Sequence, residues 1–125
     1  MLDAIIRINP TISPSKPPDW FKNKLELTKV CLQSFIHAGE SNKTFLLDNC
    51  PKEYAEYFSQ FGNIYEGKWG KKVSIYKMYE FAQKNCTGNI LFLEDDYLWR
   101  PYTLSVLEQG LQRFGLVSPY DHVGN

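Results

Sequence analysis

Short apolar runs alternate with segments of helical periodicity along this chain. The apolar runs are AIIRI (4–8), TFLLD (44–48), NIYE (63–66), NILFL (89–93) and GLVS (115–118). Most of them do not alternate apolar with polar residues, which is typical of strands that are covered on both faces. The repeated strand–helix order predicts an α/β fold, with a mostly parallel sheet of about five strands and helices on both faces in a Rossmann-like arrangement.

Four segments between these runs carry apolar residues three or four positions apart, which predicts amphipathic helices. The segments are 19–38, 50–62, 74–85 and 100–115. Asp19 is the predicted N-cap of the first helix, and Gly39 follows its predicted end. Tyr79 belongs to the predicted buried stripe of the third helix, and Phe114 to that of the fourth.

Composition limits the classes of partner. Fourteen basic residues balance fourteen acidic ones in 125 residues, so net charge gives no reason to expect nucleic acid or an anionic membrane surface. No apolar run approaches the roughly 20 residues that a membrane-spanning helix needs, and the apolar start is too short for a signal peptide. Three widely spaced cysteines indicate reduced thiols rather than a disulfide framework. The sequence therefore predicts a cytoplasmic location and no transmembrane segment.

The chain stops soon after its fifth predicted strand, before any helix that would cover that edge of the sheet. We therefore expect residues 1–125 to form a single α/β domain that is the N-terminal part of a larger catalytic domain. Self-association through the uncovered sheet edge is expected for the same reason.

Three consecutive acids follow the fourth apolar run: Glu94, Asp95 and Asp96. In an extended segment alternate residues point to the same side, so Glu94 and Asp96 are expected to project together and Asp95 to the opposite side. Carboxylates at the carboxyl end of a buried strand are hard oxygen ligands for Mg²⁺ or Mn²⁺. Without a cation, at least one of the three pKa values should rise. An ordinary solvated acidic turn is the simpler alternative.

The layout resembles the nucleotide-binding half of A-type, family-2-like glycosyltransferases. The first strand runs into a Pro-Thr step at Pro10 and Thr11, and the second ends in Asp48. A glycine-containing loop and a helix then lead into a strand followed by an acid-x-Asp motif, here Glu94 and Asp96. The resemblance covers nearly the whole chain in layout, but only a few positions carry it.

The resemblance implies a role for several of these residues. Thr11 and Asp48 would face the base and ribose of a nucleotide, Asp95 would reach the ribose, and Lys72 (or Lys71) would contact phosphate. Asp96 would bind the divalent ion that bridges the diphosphate, with Glu94 as a direct or water-mediated partner. Asp48 is also explained as an acid near a helix N-terminus, and Lys72 as a solvated loop residue.

Asp121 and His122 follow the fifth predicted strand at the same edge and would contact acceptor or metal. A surface Asp-His pair is the alternative interpretation.

The family's first motif acid is usually aspartate, whereas this chain has Glu94, whose longer side chain is suited to a water-mediated contact. The family's general base and acceptor-binding half normally lie beyond the acid-x-Asp motif.

Other nucleotide-binding and hydrolytic classes are disfavoured. No G-x-G-x-x-G follows the first strand, no P-loop is present, and no G-x-S-x-G elbow appears. The sequence thus predicts a metal-dependent glycosyltransferase that moves a sugar from a nucleotide-diphosphate sugar to an acceptor hydroxyl. The alternative is a non-catalytic or degenerate α/β domain that binds a ligand or a partner chain.

Overall fold

The computed structural model describes residues 1–11 and 23–115, which form four strands and four helices. The strands are β1 (Asp3–Ile8), β2 (Asn42–Asp48), β3 (Asn63–Gly67) and β4 (Ile90–Glu94). The helices are α1 (Lys24–Ala38), α2 (Lys52–Phe58), α3 (Lys71–Asn85) and α4 (Thr103–Phe114). Apart from Gly115, the predicted fifth strand lies outside the described residues.

All four strands are parallel, in the order β3-β2-β1-β4. The α/β prediction is therefore confirmed, with four described strands instead of about five. From β1 the chain adds β2 and β3 on one side and then crosses to place β4 on the other. The strand order reverses between β1 and β4, and open α/β sheets bind ligands in the crevice at such a topological switch point.

The helices cover both faces of the sheet unequally. One face packs against α1, α2 and α4, around a core in which the Phe45 and Phe58 rings lie 5.0 Å apart. The other face packs against α3, where Ile5 and Leu46 contact Met78 and Ala82. Alternate residues of β1 therefore point toward different helices, as strand geometry requires.

The start of the first helix differs from the prediction. The structure places its N-cap at Asn23, whose side-chain oxygen accepts a hydrogen bond from the Glu26 N–H at 2.8 Å. Because Asn23 satisfies a free N–H of the first turn, the helix begins at Lys24. Asp19 lies outside the described residues. Gly39, at φ 147°, follows the helix as predicted.

The predicted apolar stripes of α3 and α4 are correct only in part. Tyr79 is 53% exposed and packs edge-to-face on Phe92 of β4 at 4.9 Å, whereas the small polar Ser74 is fully buried. Phe114, in the last turn of α4, is 71% exposed. In the described part of the chain, Tyr79 and Phe114 are therefore mainly surface residues rather than core residues.

β4 forms one outer edge of the sheet in the described part of the chain. Its central residue, Phe92, is 41% exposed. Self-association through an uncovered sheet edge stays a prediction. Across residues 1–11 and 23–115, no helix has the length and apolar character to span a membrane.

Candidate functional site at the switch point

Four segments lie at the carboxyl ends of the parallel strands, at one edge of the sheet. They are residues 9–11, 48–50, 68–70 and 94–96. The segments 9–11 and 94–96 follow the neighbouring strands β1 and β4 and form the two sides of the switch point. Five of the eight predicted site residues lie at this edge within these segments: Thr11, Asp48, Glu94, Asp95 and Asp96.

Glu94 is the last residue of β4 and points to the α3 face of the sheet. Both of its oxygens contact the Arg7 guanidinium, at 2.9 Å and 2.8 Å from Nη2. Arg7 projects from the middle of the sheet and also donates to the Ser74 hydroxyl at 3.2 Å. The positive partner of Glu94 within the described residues is therefore an arginine of the neighbouring strand.

Asp95 points to the α1 face and is only 8% exposed. Its Oδ2 accepts hydrogen bonds from the Asn9 N–H at 2.9 Å and from Lys24 Nζ, an ion-pair partner at 3.0 Å. The predicted separation of Asp95 from Glu94 onto opposite sides is confirmed by these contacts. Asp95 therefore lies against the end of β1, with one carboxylate oxygen already engaged twice.

Asp96 differs from both neighbours, because it is exposed and makes no hydrogen bond or ion pair within residues 1–11 and 23–115. Tyr97 lies close enough to both Asp96 and Glu94 for their charges to act on it. Burial, and then these two carboxylates, raise the pKa of Tyr97 above its ordinary value.

Burial affects the pKa values of Glu94 and Asp95. Burial raises the pKa of Glu94, and the hydrogen bond and charge of Arg7 oppose that rise. Burial likewise raises the pKa of Asp95, against the lowering effect of Lys24 and the Asn9 N–H. The predicted rise is confirmed in direction. Its largest cause is burial, while repulsion from neighbouring carboxylates contributes less.

Asp48, at the end of β2, is 1% exposed. Its Oδ1 accepts hydrogen bonds from the backbone N–H groups of Trp69 at 2.8 Å and Gly70 at 3.1 Å. It therefore fixes the loop that enters α3. Its Oδ2 is buried and has no hydrogen-bond partner among the described residues. The Trp69 ring packs so closely on Gly67 that an added Cβ would lie 2.1 Å from it.

Two further predicted residues lie at the periphery of this edge. Thr11 is exposed, and its N–H donates to the Asn9 side chain at 2.8 Å. Lys72 is exposed in the first turn of α3, next to Lys71. Asp121 and His122 lie outside the described residues.

A small cavity lies beneath the acids, lined in part by Thr28, Cys31, Glu94 and Asp95, with a volume of about 20 Å³. That volume has room for one water molecule and not for a nucleotide.

Burial raises the pKa of Cys31 to about 11 and that of Cys50 to about 12. These free thiols stay protonated at neutral pH and supply no thiolate nucleophile.

The fit of a divalent cation to this site depends mainly on Asp96. No group of three or more His, Cys, Asp or Glu side chains in the described ranges forms a metal centre. Mg²⁺ and related ions, however, commonly bind one or two carboxylates and take their other ligands from phosphates and water. Asp96 fits that mode as the direct ligand. Glu94, engaged by Arg7, fits only as a water-mediated partner.

Three residues that organise the site were not identified from the sequence: Arg7, Lys24 and Ser74. A charged residue inside the apolar run AIIRI was the one available signal, because an arginine in a buried strand requires a partner. Lys24 carried no such signal in its polar surroundings. Ser74 is a small polar residue inside an apolar helical pattern, which by itself indicates nothing about function.

Comparison of the chain with protein-family models, curated proteins and solved structures gave no significant match. The resemblance to A-type glycosyltransferases therefore stays a prediction.

Proposed function

We propose that this domain binds a nucleotide-diphosphate sugar at the switch point and belongs to a metal-dependent glycosyltransferase that transfers the sugar to an acceptor hydroxyl. One observation carries the proposal. Of three consecutive acids at the switch point, two are neutralised by internal cations, and Asp96 alone is exposed and unpaired within the described residues. An exposed carboxylate at this position is suited to bind a cation that arrives with the substrate.

Asp96 is the proposed direct ligand of Mg²⁺ or Mn²⁺, and Glu94 the proposed water-mediated partner. Arg7 contacts both Glu94 oxygens and so fixes the direction of that carboxylate. When bound, the divalent ion supplies Lewis-acid stabilisation of the negative charge that develops on the departing diphosphate. Lys72, exposed at the start of α3, is the proposed phosphate contact.

Asp48 is the proposed acceptor for a donor group of the base or ribose. A buried polar atom without a hydrogen bond destabilises the folded protein by about 1–3 kcal/mol. The Oδ2 atom of Asp48 is such an atom, and an N–H or O–H of a nucleoside would satisfy it. Thr11 and Asp95 are the proposed nucleoside contacts on the β1 and β4 sides. Asp121 and His122 are proposed to contact the acceptor or metal on sequence grounds alone.

The test is calorimetric titration of the protein with UDP and GDP sugars, in the presence and absence of Mn²⁺. We expect binding that requires Mn²⁺, and its loss in Asp96→Asn. Asp3→Asn is a matched control, since it removes the same charge at the opposite end of the neighbouring strand β1. This control should bind as tightly as the unmodified protein.

A non-catalytic α/β binding domain remains the second candidate, and a specific observation favours it. Arg7 and Lys24 already neutralise Glu94 and Asp95, so these two acids do not need a metal. If no nucleotide sugar binds with or without Mn²⁺, the transferase proposal is wrong and the binding-domain interpretation gains.

A further inference from the structure

Lys24 lies at the first position of α1, yet its side chain is only 8% exposed. Its ammonium group contacts three acceptors: the Asn9 carbonyl at 2.9 Å, the Thr11 carbonyl at 3.1 Å and Asp95 Oδ2 at 3.0 Å. An ammonium group has three N–H donors. All three are therefore used within the protein, and Lys24 has none left for a ligand.

The three acceptors belong to both sides of the switch point. The two carbonyls lie in the segment that follows β1, and Asp95 lies in the segment that follows β4. The Asn9 N–H also donates to the same Asp95 oxygen. One buried cation and one buried carboxylate thus link the two strand ends that form the walls of the crevice.

The same contacts fix the backbone around Thr11. Its N–H donates a hydrogen bond to the side-chain oxygen of Asn9, two residues earlier, in the manner of an Asx turn. Its C=O accepts a hydrogen bond from Lys24. The backbone of Thr11 is therefore fixed at both its N–H and its C=O, while its side chain is exposed. Asp96 directly follows Asp95, which pairs with Lys24. The Lys24–Asp95 pair therefore sets the positions of Thr11 and Asp96 relative to each other.

We propose that Lys24 is a positioning residue of the nucleotide site: it fixes the nucleoside-contacting side of the crevice, at Thr11, relative to the metal-binding side, at Asp96. This inference rests on the proposed function. It adds that binding of nucleotide and metal together depends on a residue that touches neither of them. Partners of this indirect kind typically change affinity or activity about 10- to 100-fold when they are removed.

The experiment compares Lys24→Met, Asp95→Asn and the double variant Lys24→Met/Asp95→Asn. The single Lys24 variant leaves a buried carboxylate without its cation and is expected to be destabilised. The double variant removes both charges and is expected to keep the fold, because no buried charge is left unpaired. Asp95→Asn alone leaves Lys24 with its two carbonyl acceptors but without its carboxylate, so it is also expected to be destabilised. Where it folds, it accounts for any direct contact between Asp95 and the ligand.

Three titrations are made on each folded variant: UDP with Mn²⁺, GDP with Mn²⁺, and Mn²⁺ alone. With whichever nucleotide binds, we expect the double variant to bind about tenfold or more weakly than Asp95→Asn. Affinity for Mn²⁺ alone should be no weaker in the double variant than in Asp95→Asn, because Asp96 is unchanged and the nearby Lys24 charge is absent. Lys24→Arg, made in the otherwise unmodified protein, should bind the nucleotide more tightly than Lys24→Met does, since arginine keeps the charge and several N–H donors.

The outcomes separate the two proposals. If the unmodified protein binds neither nucleotide with Mn²⁺, both the proposed function and the role of Lys24 are wrong. If it binds, and the double variant binds as tightly as Asp95→Asn, then Lys24 serves stability alone and only the positioning proposal fails. Equal weakening of nucleotide and of Mn²⁺ alone would also overturn it, because that result indicates general damage to the β4 end.

Discussion

Glu94 and Asp95 are adjacent in the chain but lie on opposite faces of the sheet, where each meets a different cation. On the α1 face, the side chains of Lys24 and Asp95 are both 8% exposed. On the α3 face, Arg7 is 10% exposed but Glu94 is 38% exposed. One pair is closed to water, and the other is open on its acidic side.

This difference separates two physical roles. A buried ion pair loses its hydration, so removing one partner leaves a charge that nothing else can stabilise. A carboxylate that still contacts water loses less free energy when its ion-pair partner is removed or replaced. The closed pair is therefore suited to fix backbone segments, and the open pair is suited to respond to a cation that arrives with a ligand.

The largest expected effect comes from breaking the closed pair. Lys24→Met should lower the free energy of unfolding by about 3–5 kcal/mol at neutral pH, because it leaves Asp95 buried without its cation. Urea denaturation followed by circular dichroism measures the change. Lys29→Met is the control on the same helix, where Lys29 pairs with the exposed Glu26 at 3.3 Å. That variant should lose no more than about 1 kcal/mol.

Breaking the open pair should have a smaller effect. Arg7→Met removes three contacts to Glu94 and one to Ser74, but Glu94 can recover hydration from solvent. We expect a loss of about 1–3 kcal/mol in the same denaturation experiment. A loss equal to or greater than that of Lys24→Met would show that exposure does not distinguish the two pairs.

The fold was predictable because its signals are local and repeated. Unbroken apolar runs such as TFLLD and NILFL identified the strands, and their alternation with helical segments identified a parallel α/β sheet. The opposite directions of Glu94 and Asp95 also followed from strand geometry alone. The strand order, and with it the switch point between β1 and β4, required the structure.

The partners of the acids were not predictable, because they come from distant parts of the sequence. Arg7 and Glu94 are separated by 87 positions, and they meet only because β4 crosses the sheet to lie beside β1. Lys24 reaches Asp95 from the first position of α1, which Asn23 caps, whereas the predicted cap was Asp19. The sequence indicated that something positive lies near these acids, but not that the protein itself supplies it.

The closed pair should also make the free energy of unfolding depend on pH. The folded-state pKa of Asp95 is raised by burial, and Lys24 opposes that rise. Between the unfolded and folded pKa values the folded protein binds more protons, so the free energy of unfolding falls as pH rises through that window. Lys24→Met removes the opposing charge, which raises the folded-state pKa further and extends the window upward.

The stability difference between Lys24→Met and the unmodified protein should therefore be smallest in acid, where Asp95 takes up protons, and should grow steadily toward neutral pH. Denaturation at intervals from about pH 4 to about pH 8 spans the ordinary range of carboxyl titration and more. In the background of Asp95→Asn, the effect of Lys24→Met should not change with pH, because the titrating group is gone. A difference that stays constant in the unmodified background would mean that Lys24 stabilises the strand ends through its two carbonyl contacts and not through the charge of Asp95.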